Sequence, residues 1–582
     1  MKKQGGLYPI LTIVFALAVC CFFGFVYPHH LHFQEQYQMF LFDADYARDV
    51  MSVPGGVADY IGRFFTQFFI FAWAGAAVVA LLVVALQVIA ARGARGTWLQ
   101  ALGFVPALLA WRLMLDENAL LGAIVAVLLC LLVEWGVQCV RPVAWRSILL
   151  VLGLPLLYWM AGPVALWLLP CLAVLGLVFR PRRSAMEVSA VVVMAVLSFA
   201  LPTIARRMVA VDPDRLATGV HYFRYPEHVA WPLWTAVAAV VVVRLAILVC
   251  QRRGVRASSP LIPALICWAV IGAPLIVMSY NRASEEVMAY DFMARHQQWN
   301  RILQTASAKE PNNPTSATVH NLAMGMRGRL ADHMFEYPQR GTAGLLPSFV
   351  RDPFSPLATG EAFYQLGMIN TAQQYFFEAQ EAIPDYQKSG RCYKRLAETN
   401  LINGAYDVAR KYLLALRKTW YYRSWAGEAL SLLGNEEAIA RHPEYGKLRQ
   451  LNIQASFFFS DKELPQMLGQ LFMTNQQNRL AFEYLEAAYL LEGNLDNFAQ
   501  CYQLGSQLSY VAIPMMFQQA LLLFWSRDHA ASEQMPAGFR PDVIQSMHQF
   551  YADVQSRRYT PEQMKERWGK TYWYYYFYER NQ

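Results

Sequence analysis

As far as Tyr280, apolar runs alternate with short arginine-rich loops, and beyond it the alternation stops. A chain patterned this way has few folds open to it. Hydrocarbon offers backbone N–H and C=O groups no partner, so each apolar run must satisfy them internally as a helix. A spanning helix needs about 20 apolar residues, within roughly 17 to 25. Nine runs meet or approach that length: Leu7–Tyr27, Phe65–Ala90, Trp98–Leu115, Ala119–Cys139, Ser147–Met160, Val164–Phe179, Val188–Ala205, Ala230–Cys250 and Leu261–Tyr280. The fifth and sixth are short and are separated only by Ala161-Gly162-Pro163, so they read as two spans or as one re-entrant pair. Composition agrees. Only 16% of the residues are charged, against about 25% in soluble domains, and the deficit lies before Tyr280.

Charge orients the bundle. Lys2 and Lys3 precede the first run. Arg92 and Arg95 follow the second, Arg141 and Arg146 the fourth, Arg180, Arg182 and Arg183 the sixth, and Arg252, Arg253 and Arg256 the eighth. With nine spans all of these fall on one side, which the positive-inside rule makes cytoplasmic. The expectation is a multi-pass inner-membrane protein with a cytoplasmic amino terminus. The loop at 28–64 and everything after Tyr280 are then periplasmic. The formal charge of +8 sits largely in these clusters, so it reports topology and not nucleic-acid binding. The first run reads as an uncleaved anchor: it is long, and Leu17-Ala18-Val19-Cys20 places Val where a lipobox wants a small residue.

From residue 281 to 582 helical periodicity dominates. Gly360, Phe363, Gly367, Ala372, Phe376, Ala379 and Pro384 fall at the small, aromatic and Pro positions of a tetratricopeptide repeat. Gly404, Tyr406, Ala409, Leu413 and Leu416 fit the turn and second helix of a following unit, and weaker echoes occur at Gly328–Phe335 and Gly493–Tyr502. The fold class expected is all-α. A transmembrane bundle of about nine spans (1–280) precedes an extracytoplasmic, tetratricopeptide-like repeat domain (281–582). Such stacks offer concave surfaces to a protein or peptide partner. Cys392 and Cys501 are the one pair in this half that a disulfide could join. The tail Tyr572-Trp573-Tyr574-Tyr575-Tyr576-Phe577-Tyr578 is too aromatic for open water, and reads as a cap on the last repeat or as an interfacial segment.

Three polar segments lie between apolar runs on the expected outer side. The first, Pro28–Phe64, holds His29, His30, His32, Glu35, Asp43, Asp45, Arg48 and Asp49, then Pro54-Gly55-Gly56, with the helical alternation of an interfacial helix. The second is the turn Asp116-Glu117-Asn118. The third, Arg206–His228, carries Arg206, Arg207, Asp212, Asp214, Arg215, His221, Arg224, Glu227 and His228. Adjacent guanidinium groups suit a lipid phosphate, or else snorkel to headgroups. Asp43-Ala44-Asp45 is a D-x-D triplet, a pattern able to hold a divalent ion against a sugar phosphate. The histidines read as interfacial and not as zinc ligands, and no metal or other cofactor is assigned. Arg244 lies inside a run, where a charge requires a partner or a route to the interface. Signatures for nucleotide hydrolysis, serine acyl transfer and zinc proteolysis are missing.

Tyr27-Pro28-His29-His30-Leu31-His32-Phe33-Gln34-Glu35-Gln36, Pro54-Gly55-Gly56-x-x-Asp59-Tyr60, Gln67-Phe68-Phe69, the stretch from Asn370 to Ala379 and Thr571-Tyr572-Trp573 resemble uncharacterised multi-pass proteins of the Bacteroidales. Those proteins carry a domain of unknown function over nearly their whole length, which implies an envelope protein without a defined activity. The layout is also remotely similar to the C-type (GT-C) polyprenyl-phosphate-sugar glycosyltransferases, without their diagnostic motifs. That likeness implies an acidic first-loop residue as general base or metal ligand, here Glu35, Asp43 or Asp45. It makes Arg206 and Arg207 the phosphate binders and a polyprenyl-phosphate sugar in the membrane lipid the donor. The alternative is a non-catalytic, membrane-anchored repeat scaffold that assembles envelope complexes.

Overall fold

The computed structural model describes residues 7–94, 97–181, 183–225, 229–254, 259–453, 463–508, 510–529 and 538–580. Lys2, Lys3, Arg95, Arg182, Arg256, Glu227 and His228 lie outside them. Among the described residues there are helices and no strand, only two isolated bridges, Ala119 with Phe223 and Arg340 with Thr342. The chain divides into two compact units. The first comprises Met1–Glu285 with two short later segments, Pro384–Gly390 and Ala415–Arg423.

In chain order the first unit contains α1 (Leu7–Val26), α2 (Pro28–Glu35), α3 (Ala44–Met51), α4 (Gly56–Thr66), α5 (Ala72–Ala90), α6 (Phe104–Leu113) and α7 (Gly122–Cys139). There follow α8 (Val143–Ala161), α9 (Pro163–Val178), α10 (Ala185–Met208), α11 (Pro213–Ala217), α12 (Trp231–Arg252) and α13 (Leu261–Ser279). Seven of these, α1, α5, α7, α8, α10, α12 and α13, are long and apolar enough to cross a membrane. Two of the nine expected runs form shorter helices, Trp98–Leu113 and Pro163–Val178. The first of these opens with six residues of 3-10 helix, and Pro163 starts α9 immediately after the left-handed Gly162. The expected run Phe65–Ala90 is also divided. Its first residues finish α4 and a 3-10 turn, and Phe71 adopts an extended conformation before α5 begins.

The core of this unit is a continuous cluster that includes Phe15, Phe23, Phe69, Phe104, Leu131 and Leu168. Many lipid-length helices keep large apolar residues exposed, among them Leu152, Val196, Phe199 and Val242. That is the inverse of a soluble protein and suits a bilayer solvent. Arg244 is buried on α12. It reaches Glu134 of α7 at 3.2 Å and donates to the Arg92 carbonyl at 2.7 Å. Glu187 is likewise bound by both Arg146 and Arg180.

The second unit is built from helical hairpins. Ser355–Leu366 and Ile369–Glu381 fold back on each other through Gly367 (φ +89°), and Gly390–Ile402 and Tyr406–Arg417 through Gly404 (φ +77°). Their apolar faces meet in a core that holds Phe363, Ala372, Tyr375 and Ala409. The aromatic tail belongs to this interior: Tyr572, Trp573, Tyr574 and Tyr575 are buried, and the Tyr572 and Tyr575 hydroxyls donate to the Leu490 and Leu491 carbonyls. Cys392 and Cys501 are both free thiols, so the disulfide that the sequence allowed does not form; Cys392 is buried against Leu357, Phe376 and Leu396.

Candidate functional site

The polar segment 28–64 folds as three helices, not one. α2 starts at Pro28, whose fixed φ suits a first helical turn. The Glu285 carboxylate takes the backbone N–H groups of His29 and His30 at 2.9 and 3.0 Å. His30 points its Nε2 at the Met114 carbonyl (2.8 Å) and His32 its Nδ1 at that of Phe69 (2.9 Å). Burial pushes the His30 pKa down to about 3, so its ring is neutral at physiological pH. These histidines tie α2 to its neighbours, and no group of three His, Cys, Asp or Glu side chains able to hold a metal occurs among the described residues.

After α2 the chain runs extended. Met39 donates its N–H to the Lys388 carbonyl (2.9 Å), and Phe42 donates to that of Lys418 (2.8 Å). α3 and α4 then form a tight hairpin at Pro54-Gly55-Gly56. Gly55 has φ +88°, a conformation other residues avoid, and its N–H reaches the Trp159 carbonyl at 2.9 Å. A β-carbon on Gly55 would lie 2.7 Å from His221 Nε2, and one on Gly162 would lie 3.0 Å from the same atom. The imidazole is thus wedged between two glycines.

Beside this wedge lies a cavity of about 710 Å³. The α3–α4 hairpin supplies Tyr46, Asp49, Asp59 and Arg63. The segment after α10 supplies Asp212, Arg215 and His221, and residues 385–388 close it with Asp385, Gln387 and Lys388. Asp59 and Arg63, one helical turn apart, pair at 2.6 Å. Arg215 grips Asp385 with both terminal nitrogens, one at 2.7 Å. Burial opposes the Arg63 cation, but Asp59 and Tyr46 outweigh it and hold its pKa above the ordinary arginine value. Among the described residues neither ring nitrogen of His221 has a hydrogen-bond partner, and both are sealed from solvent. Burial and then Arg215 drive its pKa down to about 4; Asp59 and the Arg215 backbone, which falls short of hydrogen-bond geometry, oppose this weakly. The ring is a neutral acceptor at pH 7. Asp49 lies on the exposed face of α3 without an ion pair among the described residues.

The five residues singled out from sequence do not line this cavity. Glu35 is buried at the end of α2. Asp43 precedes α3 and binds the Lys418 ammonium, which holds its carboxyl below the usual range. Asp45 forms an exposed pair with Arg48 at 3.1 Å. The two carboxylates of the D-x-D triplet are therefore committed to different cations. Arg206 and Arg207 are exposed in the last turn of α10, just before Ala210, Val211 and Asp212 of the cavity wall. Both polar segments read from the sequence, 28–64 and 206–228, contribute to the cavity wall, but Asp59 and Arg63 were not singled out in them. Their i, i+4 spacing on a helix was the available signal. Nothing in the sequence announced Asp385.

Among the described residues, fold and site together define an all-helical protein with several lipid-length helices and a polar, charge-lined cavity in its first unit. The chain matches the family of unknown function DUF6057 over residues 5–579 and belongs to it. No curated protein and no solved structure matches it.

Proposed function

We propose that this chain is a multi-pass envelope protein that binds the headgroup of a lipid-linked sugar phosphate in the 710 Å³ cavity and transfers the sugar to an acceptor, in the manner of GT-C enzymes. The observation that carries the reading is the cavity wall itself. It sets the carboxylates of Asp49 and Asp59 beside the guanidinium groups of Arg63 and Arg215. In such a transfer Asp49 takes the proton of an acceptor hydroxyl. The acceptor oxygen bonds to the anomeric carbon, the bond from that carbon to the phosphate oxygen breaks, and the phosphate leaves with the electron pair. Arg63 and Arg215 meet its growing charge, and Arg206 and Arg207 engage the headgroup from the adjoining helix end. The base role thus passes from Glu35, Asp43 and Asp45 to Asp49.

The arginine-rich loops favour a cytoplasmic amino terminus with nine crossings, which would put the cavity and the helical hairpins on the periplasmic side. Tetratricopeptide-like stacking of those hairpins would present the acceptor. The spacing from Gly360 to Pro384 also supports a second reading, a membrane-anchored scaffold without catalysis.

The test is turnover of polyprenyl-phosphate sugars by the full chain in nanodiscs. Asp49→Asn should abolish it, Arg215→Ala should lower it at least tenfold, and Asp45→Asn should leave it unchanged. Absence of turnover with every donor tried, or wild-type turnover in Asp49→Asn, overturns the assignment.

A further inference from the structure

Exposed and half-buried aromatic rings on the first unit form a connected ladder. Phe42 and Phe68 each lie 6.0 Å from Trp420, and Phe71 lies 5.4 Å from Tyr421. The ladder runs to the residue before α5, whose first turn carries Trp73, and Trp73 meets Phe25 of α1 at 4.4 Å. Trp420 is 56% exposed and Phe71 59%. A contiguous patch of this kind marks an interaction surface and not a solvated one.

Two observations select lipid as the occupant. The patch is continuous with the ends of two helices long enough to span a bilayer, α1 and α5. It is also flanked by the exposed cations Arg417 and Arg423. Indole and phenol rings partition to the headgroup layer, and neighbouring cations suit its phosphates. The segment that carries Trp420 is held firmly. The Lys418 carbonyl accepts from Phe42, the Lys418 ammonium binds Asp43, and Thr419 bridges the Leu416 carbonyl and the Tyr422 N–H. Asp43 therefore acts as a clamp on this segment.

We infer that residues 415–423 are a bilayer anchor. Trp420 and Tyr421 insert at headgroup level beside the ends of α1 and α5, although they lie far downstream of the last spanning helix, which ends at Ser279. This does not depend on glycosyl transfer. A photoreactive benzoylphenylalanine placed at Trp420, at Phe71 and at the exposed Val408 of the second unit, in full chain reconstituted in phosphatidylcholine–phosphatidylglycerol nanodiscs, tests it. Lipid adducts are expected at 420 and 71 and not at 408. In parallel, brominated lipid should quench Trp420→Phe measurably less than the parent chain. Cross-links from 420 to a second protein copy, no lipid adduct at 420 while 71 gives one, or unchanged quenching in Trp420→Phe each overturn the anchor.

Discussion

The imidazole of His221 occupies the space that a side chain on Gly55 would need, with Nε2 only 2.7 Å from the β-carbon position. Gly55 also sits at φ +88° and ties the α3–α4 hairpin to α8 through the Trp159 carbonyl. Gly55→Ala therefore meets two obstacles, backbone strain and a collision with a sealed ring. A loss of about 2 kcal/mol is expected. Adding His221→Ala should return the steric share but not the backbone share. Thermal unfolding in detergent reads both variants, and a Gly55→Ala protein as stable as the parent would refute the wedge.

Glu285 yields a pH dependence with a definite sign. Burial outweighs the two amide donors of His29 and His30 and pushes the carboxyl up to about 8. In the unfolded chain it titrates near the ordinary glutamate value of about 4.3. Between those values the folded state keeps a proton that the unfolded state has lost. The contribution is full below about pH 4.3 and is lost as pH rises towards 8. Glu285→Gln, neutral throughout, should flatten stability against pH over that window. The same slope in parent and variant would show that Glu285 is not the group responsible.

Much of this was legible in the sequence and some was not, for physical reasons. Apolar runs marked the seven lipid-length helices, yet Trp98–Leu115 and Val164–Phe179 fold as shorter helices and the short run Ser147–Met160 belongs to the full-length Val143–Ala161. Apolar length also failed at Phe65–Ala90, where Phe71 breaks the helix without Pro or Gly to announce it. The charged segments 28–64 and 206–228 were visible as polar islands, yet which carboxylate faces the cavity depends on helix phase. Asp45 and Asp49 share α3, one helical turn apart, and only Asp49 reaches the wall. Asp385 and Lys418 were beyond reach, because each meets its partner across well over a hundred residues. The break at Tyr280 is likewise less clean than hydropathy suggests, since residues 384–390 and 415–423 belong to the first unit.

Arg244 and Glu134 form the buried pair that the lone arginine in an apolar run required. Removing one member leaves the other charged and desolvated, which typically costs about 3–5 kcal/mol. Arg244→Met or Glu134→Met alone should therefore lower the melting temperature sharply. The double variant should recover part of the loss, because the buried partner goes with its counter-charge and only Arg92, 3.8 Å from the Glu134 carboxylate, loses an ion pair. Equal damage in single and double variants would instead point to packing as the role of these side chains.

The second unit carries a denser network that no repeat pattern discloses. Arg391 binds Asp291 at 2.7 Å and Glu361 at 3.3 Å, while Arg395 binds Glu361 at 2.8 Å and Glu398 at 2.6 Å. Arg395 also lies over the Tyr364 ring at 4.2 Å. All four partners are almost wholly buried. Burial pushes the Glu361 carboxyl up, but Arg395 and then Arg391 overcome it and hold its pKa below the usual value. A depressed carboxylate adds stability above its unfolded pKa of about 4.3, and that stability is lost as pH falls through the lower folded value. Glu361→Gln should thus destabilise this unit by roughly 3 kcal/mol at neutral pH. The deficit against the parent chain should narrow below about pH 4, as the parent loses its own ion pairs. Hydrogen exchange at the helix Gly390–Ile402, which carries both arginines, follows this unit without interference from the bundle. A deficit that stays constant down to pH 3 would mean that shape, and not charge, is what Glu361 contributes.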